Sequence, residues 1–164
     1  MTYLVPERLV IGKAVRRLAS PRLRAAPALP KAEGLSGLPA GPRVVLPWPP
    51  RALSPNARGH WSWRSKAAAI YRRECWALAL AAGLTPAVVA GITDVAVQLD
   101  FFPPDGRHRD DDNAVAAFKA GRDGVADALQ IDDRRIVTTV RLHGEARGCV
   151  VLTLTDAVDR GAVE

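Results

Sequence analysis

The sequence predicts an α/β (α+β) protein: a single small domain in which two main helices pack on a mixed four-stranded sheet, preceded by a loose N-terminal leader. A length of 164 residues suits one domain of ordinary size. Hydrophobic residues make up 48% of the chain, which is enough for a packed core. Strand-like and helix-like apolar patterns alternate in the order β-α-β-α-β-β, which predicts a mixed sheet covered by helices.

Proline and glycine separate the leader from the folded body. Ten of the 13 prolines fall within the first 55 residues, and residues 20–43 mix Pro, Gly, Ala and charge without a period. We therefore predict an N-terminal extension over 1–43, a folded domain over 44–157 and a C-terminal tail over 158–164.

The first two elements follow from local signals. Residues 44–48 predict a short strand, which Pro47 restricts to a sheet edge. Residues 62–82 contain strong helix formers without Pro or Gly, and Gly83 supplies the stop. The helical spacing predicts one buried face, formed by Trp63, Ala67, Ile70, Ala77 and Ala81.

Residues 92–102 alternate as a strand with one buried face. The predicted inward positions are Thr93, Val95, Val97, Leu99 and Phe101. The predicted outward positions are Asp94, Ala96, Gln98 and Asp100.

A second helix is predicted over 112–129, followed by strands near 135–142 and 149–155 that a hairpin loop joins. At about 100° per residue the helix has a large apolar face and a small-residue face suited to close packing. The apolar face contains Val115, Phe118, Val125 and Leu129, and the small-residue face contains Ala117, Gly121, Gly124 and Ala128.

Composition excludes several classes of protein. No apolar run approaches the roughly 20 residues that a membrane span needs, and the first 17 residues lack a secretory pattern. Cys75 and Cys149 are too few for a disulfide framework or a four-thiolate zinc site, and both are interpreted as small buried hydrophobes. A reducing cytoplasm is the simplest compartment, with no membrane partner.

The charge is divided between the two halves of the chain. Residues 1–73 contain 14 Lys and Arg against Glu7 and Glu33, whereas eight aspartates lie between Asp105 and Asp133. This pattern fits a polyanion partner and a separate cation site, or simply a solvated basic surface beside an acidic loop.

The acidic segment contains the candidate chemistry. Asp110, Asp111 and Asp112 precede the second helix, where carboxylates also cap free backbone N–H groups. If Asp132 and Asp133 meet Asp110 and Asp112, the repulsion requires protonation, wide spacing or a bound cation. Oxygen ligands favour Mg²⁺, Mn²⁺ or Ca²⁺ over zinc. A metal site and a solvated acidic helix start both remain open at this point.

Lys119 and Asp123 lie on the same narrow stripe of the helix as Asp112. A lysine beside such a metal site would neutralise a scissile phosphate or the leaving oxygen. Together these residues predict phosphoryl transfer.

Two ordered motifs resemble RusA-type crossover-junction endodeoxyribonucleases over about residues 44–156. The first is Asp-x-Asp-Asn at 110–113, then Lys119 and Asp123, then Asp132-Asp133 before a strand. The second lies upstream and consists of Ser54-Pro55-Asn56, His60-Trp61, Lys66 and Tyr71-Arg72.

The resemblance implies a homodimeric Mg²⁺-dependent nuclease (Mn²⁺ is an alternative) that resolves four-way DNA junctions by paired nicks. The implied catalytic residues are Asp110, Asp112, Lys119 and Asp133, and the implied metal ligands are Asp110, Asp112 and Asp133 with Asp132 at a less critical position. Some members place the lysine where Ala116 stands here. We assign it to Lys119, because Asp123 follows Lys119 at the family's spacing.

The basic residues of the upstream half are predicted to contact the DNA backbone without reading bases. They are Arg58, His60, Arg64, Lys66, Arg72 and Arg73. Trp61 and Trp63 would stack on an unpaired base or pack in the core, and core packing is the preferred interpretation of Trp63.

Two other functions stay open. One is a non-catalytic dimeric DNA-binding protein on the same fold, and the other is a metal-dependent nucleotide phosphohydrolase. The full acidic set favours the nuclease over the non-catalytic DNA-binding protein. The nucleotide phosphohydrolase is disfavoured because no phosphate-cradling glycine loop is present. His108 is interpreted as a surface histidine and His143 as an inert hairpin residue.

Overall fold

The structure, a computed structural model, describes residues 37–107 and 109–155. Two helices pack on a four-stranded sheet whose strand order is β1-β4-β2-β3, so the predicted fold class is confirmed. The elements are β1 (Arg43–Pro47), α1 (Trp61–Ala81), β2 (Val95–Phe102), α2 (Asp111–Leu129), β3 (Ile136–Leu142) and β4 (Cys149–Thr155). The predicted tail beyond residue 157 and most of the predicted leader lie outside the described residues.

The sheet is mixed because β2 pairs with β3 in parallel and with β4 in antiparallel orientation. The β2-α2-β3 unit places the carboxyl ends of both parallel strands at one edge, where the chain also enters α2. β1 pairs with β4 at the other side and is an edge strand, as Pro47 predicts.

The predicted hairpin between β3 and β4 is wrong. β4 lies between β1 and β2, so residues 143–148 carry the chain past the end of β2. Two strands joined by six residues read locally as a hairpin. Here β4 has apolar residues on both faces, and a strand of that kind is stable in the interior of the sheet, where both faces are covered.

The buried face of α1 also differs from the prediction. Tyr71, Cys75 and Ala79 are buried, whereas Trp63 is 76% and Ile70 is 69% exposed. Because apolar residues occur on both sides of this helix, their spacing alone does not determine which side faces the sheet. The preferred interpretation of Trp63 as a core residue is therefore wrong.

β2 is buried on both faces rather than on one. Its predicted inward residues Val97, Leu99 and Phe101 pack in the main core, but the predicted outward Asp100 is also fully buried. A central strand has neighbours on both faces, which explains why simple alternation underestimates its burial.

The two helices approach closely through the predicted small-residue face of α2. A Cβ atom at Gly124 would overlap the Arg72 carbonyl oxygen and lie 3.1 Å from the Trp76 amide nitrogen. Arg72 also donates two hydrogen bonds, of 2.6 and 2.8 Å, to the Asp127 carboxylate. Glycine at position 124 therefore sets the distance between the helices that support the candidate site.

Gly124→Ala is expected to lower the free energy of unfolding by about 2 kcal/mol. The added methyl group meets backbone atoms of α1, so overpacking outweighs the roughly 1 kcal/mol gained in helix propensity. Urea denaturation followed by circular dichroism measures the change. Ala116→Gly, at an exposed position of the same helix, reports the propensity term alone. A stabilised Gly124→Ala protein would contradict the close helix packing.

Among the described residues, no helix is both long enough and apolar enough to cross a membrane.

Candidate active site at the start of α2

The loop after β2 and the first turn of α2 form an open groove of about 930 Å³, here called the acidic groove. Asp110, Asp111 and Asp112 line it together with Asp105 and His143. It lies at the carboxyl ends of the parallel strands β2 and β3, the usual place for ligands in sheets of this kind.

Asp110 is the N-cap of α2. One of its carboxylate oxygens accepts a hydrogen bond from the Asp112 amide at 3.1 Å, and the other accepts from the Asn113 side chain at 3.4 Å. Of the three adjacent aspartates for which capping was expected, Asp110 is the one that caps the helix. This cap fixes where the helix starts and so holds Asp112 in its first turn.

Asp111 and Asp112 are exposed in the first turn of α2, where the helix dipole favours negative charge. Neither carboxylate accepts a hydrogen bond or forms an ion pair with another of the described residues. Both remain accessible to a ligand in the acidic groove.

Further along α2, four charged side chains form what we call the ion-pair cluster: Lys119, Arg122, Asp123 and Asp133. The Lys119 ammonium lies 3.3 Å from Asp123 and 3.9 Å from Asp133, and Arg122 lies 3.6 Å from Asp133. The Arg122 Nε atom is buried and has no hydrogen-bond partner within residues 37–107 and 109–155. Arg122 therefore reaches Asp133 from the apolar side of the helix.

Asp132 caps the short turn that leads into β3. Its carboxylate accepts a hydrogen bond of 2.9 Å from the Arg134 amide, which holds the pKa of Asp132 below its usual range. Asp132 stays ionised, but its side chain is occupied at the opposite end of α2 from Asp110.

The structure separates the predicted metal ligands into two groups. Within the described ranges, no three His, Cys, Asp or Glu side chains come close enough to hold a metal ion together. Asp110 and Asp112 share the acidic groove, whereas Asp133 is held by Lys119 and Arg122. The complete ligand set of Asp110, Asp112, Asp132 and Asp133 stays a prediction.

The donor chemistry at Asp110 and Asp112 still fits Mg²⁺. This ion is commonly held by one or two carboxylates, and water and substrate phosphate oxygens complete its shell. Asp112 is accessible, and Asp110 retains lone pairs beyond its two capping hydrogen bonds. A two-carboxylate site at this helix start therefore suits a hard cation.

A neighbouring groove of about 720 Å³, here called the signature groove, joins distant parts of the chain. Ser54 and Asn56 line it together with Asp110 and Asn113. Arg109 borders the same space and lies over the Trp48 ring at 5.2 Å. Two motifs separated by more than fifty residues thus meet around the start of α2.

The residues predicted to contact DNA are exposed on α1 and the loop before it. His60 is the N-cap of α1 and accepts a hydrogen bond from the Ser62 amide. Arg72 differs from the rest because it is paired with Asp127, an interaction that lowers the pKa of Asp127 and raises the pKa of Arg72. Arg58, Lys66 and Arg73 are solvent-exposed, and Arg64 borders a groove next to Lys119.

Sequence reasoning missed the pairing of His143. Its Nε2 atom lies 2.7 Å from a carboxylate oxygen of the fully buried Asp100, and its ring stacks on Phe102 at 4.2 Å. The Gln98 amide also donates to Asp100. The available signal was two polar residues, Gln98 and Asp100, on one face of a strongly apolar strand. His108 lies outside the described residues.

Both cysteines are fully buried, which confirms their interpretation as small hydrophobes. Burial raises the pKa of Cys75 to about 12, so its thiol is protonated at neutral pH. Burial also raises the pKa of Cys149. Neither thiol is suited to nucleophilic catalysis.

No protein-family model matches the chain. A stretch of 114 residues, 68% of this chain, is 44% identical to a protein of Xylella fastidiosa (strain Temecula1 / ATCC 700964) that bears the name "Uncharacterized protein". The match covers 74% of the Xylella protein. The two proteins belong to one family. That name assigns no activity or ligand, so function rests on the chemistry of the site.

Proposed function

We propose that this protein is a Mg²⁺-dependent endonuclease that resolves four-way DNA junctions, similar to the RusA-type enzymes. The observation that carries the proposal is the signature groove. Ser54-Pro55-Asn56 and the Asp110-to-Asn113 segment, which carry the resemblance, converge there around the start of α2. Two motifs that belong to one active site must lie close together, whereas two chance matches need not.

The reaction is hydrolysis of a phosphodiester bond. A Mg²⁺ ion would lower the pKa of the attacking water and neutralise charge on the phosphate. Asp110 and Asp112 would hold the ion in the acidic groove, with phosphate oxygens completing its shell. Asp110 also fixes the helix start through its capping hydrogen bonds, which holds the Asp110 and Asp112 side chains in fixed positions relative to each other.

Lys119 lies two turns along α2 from Asp112, about 10 Å along the axis. Its side chain is 64% exposed even though Asp123 and Asp133 pair with its ammonium, so it is available to a DNA phosphate. In this proposal Asp123 and Asp133 orient Lys119, which stabilises negative charge as the bond to the leaving oxygen breaks. To serve as the third metal ligand that the resemblance implies, Asp133 would have to leave Lys119, and Asp123 would then orient the lysine alone.

The surface charge suits a DNA substrate. Residues 37–73 contain seven Lys and Arg and no Asp or Glu. Exposed cations attract the phosphate backbone without sequence preference. A homodimer would present two such sites to strands of opposite polarity, so that paired nicks follow from two-fold symmetry. The proposed compartment is the cytoplasm, which fits two buried, unpaired cysteines.

The test uses a synthetic four-way junction, a linear duplex of the same sequence and free nucleotides, each with Mg²⁺ or with EDTA. We expect paired nicks in the junction with Mg²⁺ only, and little cutting of the duplex. Cleavage of nucleotides but not of the junction would reject the nuclease in favour of a phosphohydrolase.

A non-catalytic DNA-binding protein is the second candidate, because the described residues contain no three-carboxylate metal group. That function requires only the basic surface and dimerisation. Tight junction binding with no cleavage in Mg²⁺ or Mn²⁺ would establish it and reject the nuclease.

A further inference from the structure

A groove of about 390 Å³ runs between the first turns of α1 and the middle of α2, and we call it the α1–α2 groove. Its lining includes the small side chains of Ala68, Ala116 and Ala120, with Trp61 beside them. Its size is in the range of sites for small organic ligands. Small apolar side chains next to an indole leave a space suited to a flat ring.

Trp61 and Trp63 differ in their relation to this groove. Their exposures are nearly equal, at 74% and 76%, but only Trp61 lines the groove. The two side chains project about 160° apart around the helix axis. The structure thus assigns the groove to Trp61 and leaves Trp63 exposed outside it.

Charged groups of the lining favour an anionic ligand. Arg64 and Lys119 both line the α1–α2 groove, against the single carboxylate of Asp123, which is already paired with Lys119. Arg64 donates only one hydrogen bond within the described residues, to the Leu53 carbonyl oxygen at 3.4 Å. A ligand with a flat ring and a negative charge matches both features.

We propose that the α1–α2 groove binds one unpaired nucleotide of a DNA strand, with its base stacked on Trp61 and its phosphate directed to Arg64 and Lys119. The identification of the strand as part of a junction rests on the proposed function. Because Lys119 belongs to both the groove and the ion-pair cluster, a nucleotide here would lie next to the proposed catalytic lysine.

A second copy of the chain fits this groove less well than a nucleotide. The groove lining carries Arg64 and Lys119 against the single carboxylate of Asp123, so two copies that met through this surface would bring like charges together. A nucleic acid strand supplies the opposite charge.

The test measures binding of a short single-stranded oligonucleotide, in EDTA, by fluorescence anisotropy. Trp61→Leu removes the stacking surface but keeps apolar volume, and we expect it to weaken binding about tenfold. Trp63→Leu is the matched control, with the same chemical change at equal exposure, and we expect a change of less than twofold. Circular dichroism verifies that both variants are folded.

Equal effects of the two substitutions, or no effect of either, would overturn the assignment. Light scattering detects the competing occupant: a dimer that dissociates only in Trp61→Leu would make the groove a contact between copies and would also overturn it. If Trp61→Leu does not fold, Arg64→Gln replaces it, and unchanged oligonucleotide affinity would then reject the site. This experiment measures binding and not cleavage. The junction assay therefore tests the nuclease proposal independently of the nucleotide site.

Discussion

Asp112→Asn is expected to reduce cleavage of a four-way junction by about 100-fold or more, while junction binding in EDTA changes by less than threefold. Asparagine has nearly the same shape but lacks the negative charge that holds a divalent cation. The loss removes stabilisation of the charge that develops on the phosphate, a term commonly worth about 100-fold in rate. Single-turnover cleavage at saturating protein measures the effect without a contribution from binding.

Asp111→Asn provides the matched control for this substitution. Asp111 lies in the same first turn, lines the same acidic groove and has the same exposed character, but is outside the resemblance motif. Both changes remove one charge near the helix N-terminus, so their effects on the dipole interaction are similar. If the two variants cleave at equal rates, general acidity of the groove explains activity and the assignment of Asp112 fails.

The fold was predictable where one local signal determined the outcome. Phe118, Val125 and Leu129 recur on one side of α2 and are buried together, because the other sides of that helix have no large apolar residue. Pro47 restricted β1 to an edge through a missing N–H donor. These features depend on the segment itself.

Features that depend on partners were not predictable. α1 carries apolar side chains on both sides, so its packing against α2 and β1 decides that Tyr71 is buried and Ile70 is exposed. The central place of β4 likewise depends on pairing with β2, a strand some fifty residues away. Local periodicity contains no information about either choice.

The same limit applies to the candidate site. The three adjacent aspartates share one groove because chain neighbours remain neighbours at a helix start. The relation of Asp133 to them depends on how far the chain folds back along α2 and on competition from Lys119 and Arg122. Sequence spacing contains no information about that competition. The side-chain position of Asp133 can be assigned only when its ion pairs are known.

Replacing His143 is expected to produce the largest loss of stability. Asp100 is fully buried, and His143→Ala would leave its carboxylate with the neutral Gln98 amide as its remaining side-chain donor among the described residues. Removing the hydrogen-bond partner of a fully buried polar group typically costs about 1–3 kcal/mol, and more when the group is charged, because the remaining group is left uncompensated. Urea denaturation at pH 7 measures the free energy of unfolding.

Two further variants distinguish pairing from packing. His143→Phe keeps an aromatic ring that can stack on Phe102 but removes the Nε2 atom that pairs with Asp100, and we expect it to lose most of the same stability. In an Asp100→Asn background, His143→Ala should cost about 1 kcal/mol or less beyond the first change, since no buried charge is left without a partner. If His143→Phe were as stable as the unaltered protein, ring stacking and not the hydrogen bond to Asp100 would explain the role of His143. That result would make Asp100 a carboxylate that tolerates burial without its partner, contrary to the desolvation cost that its complete burial implies.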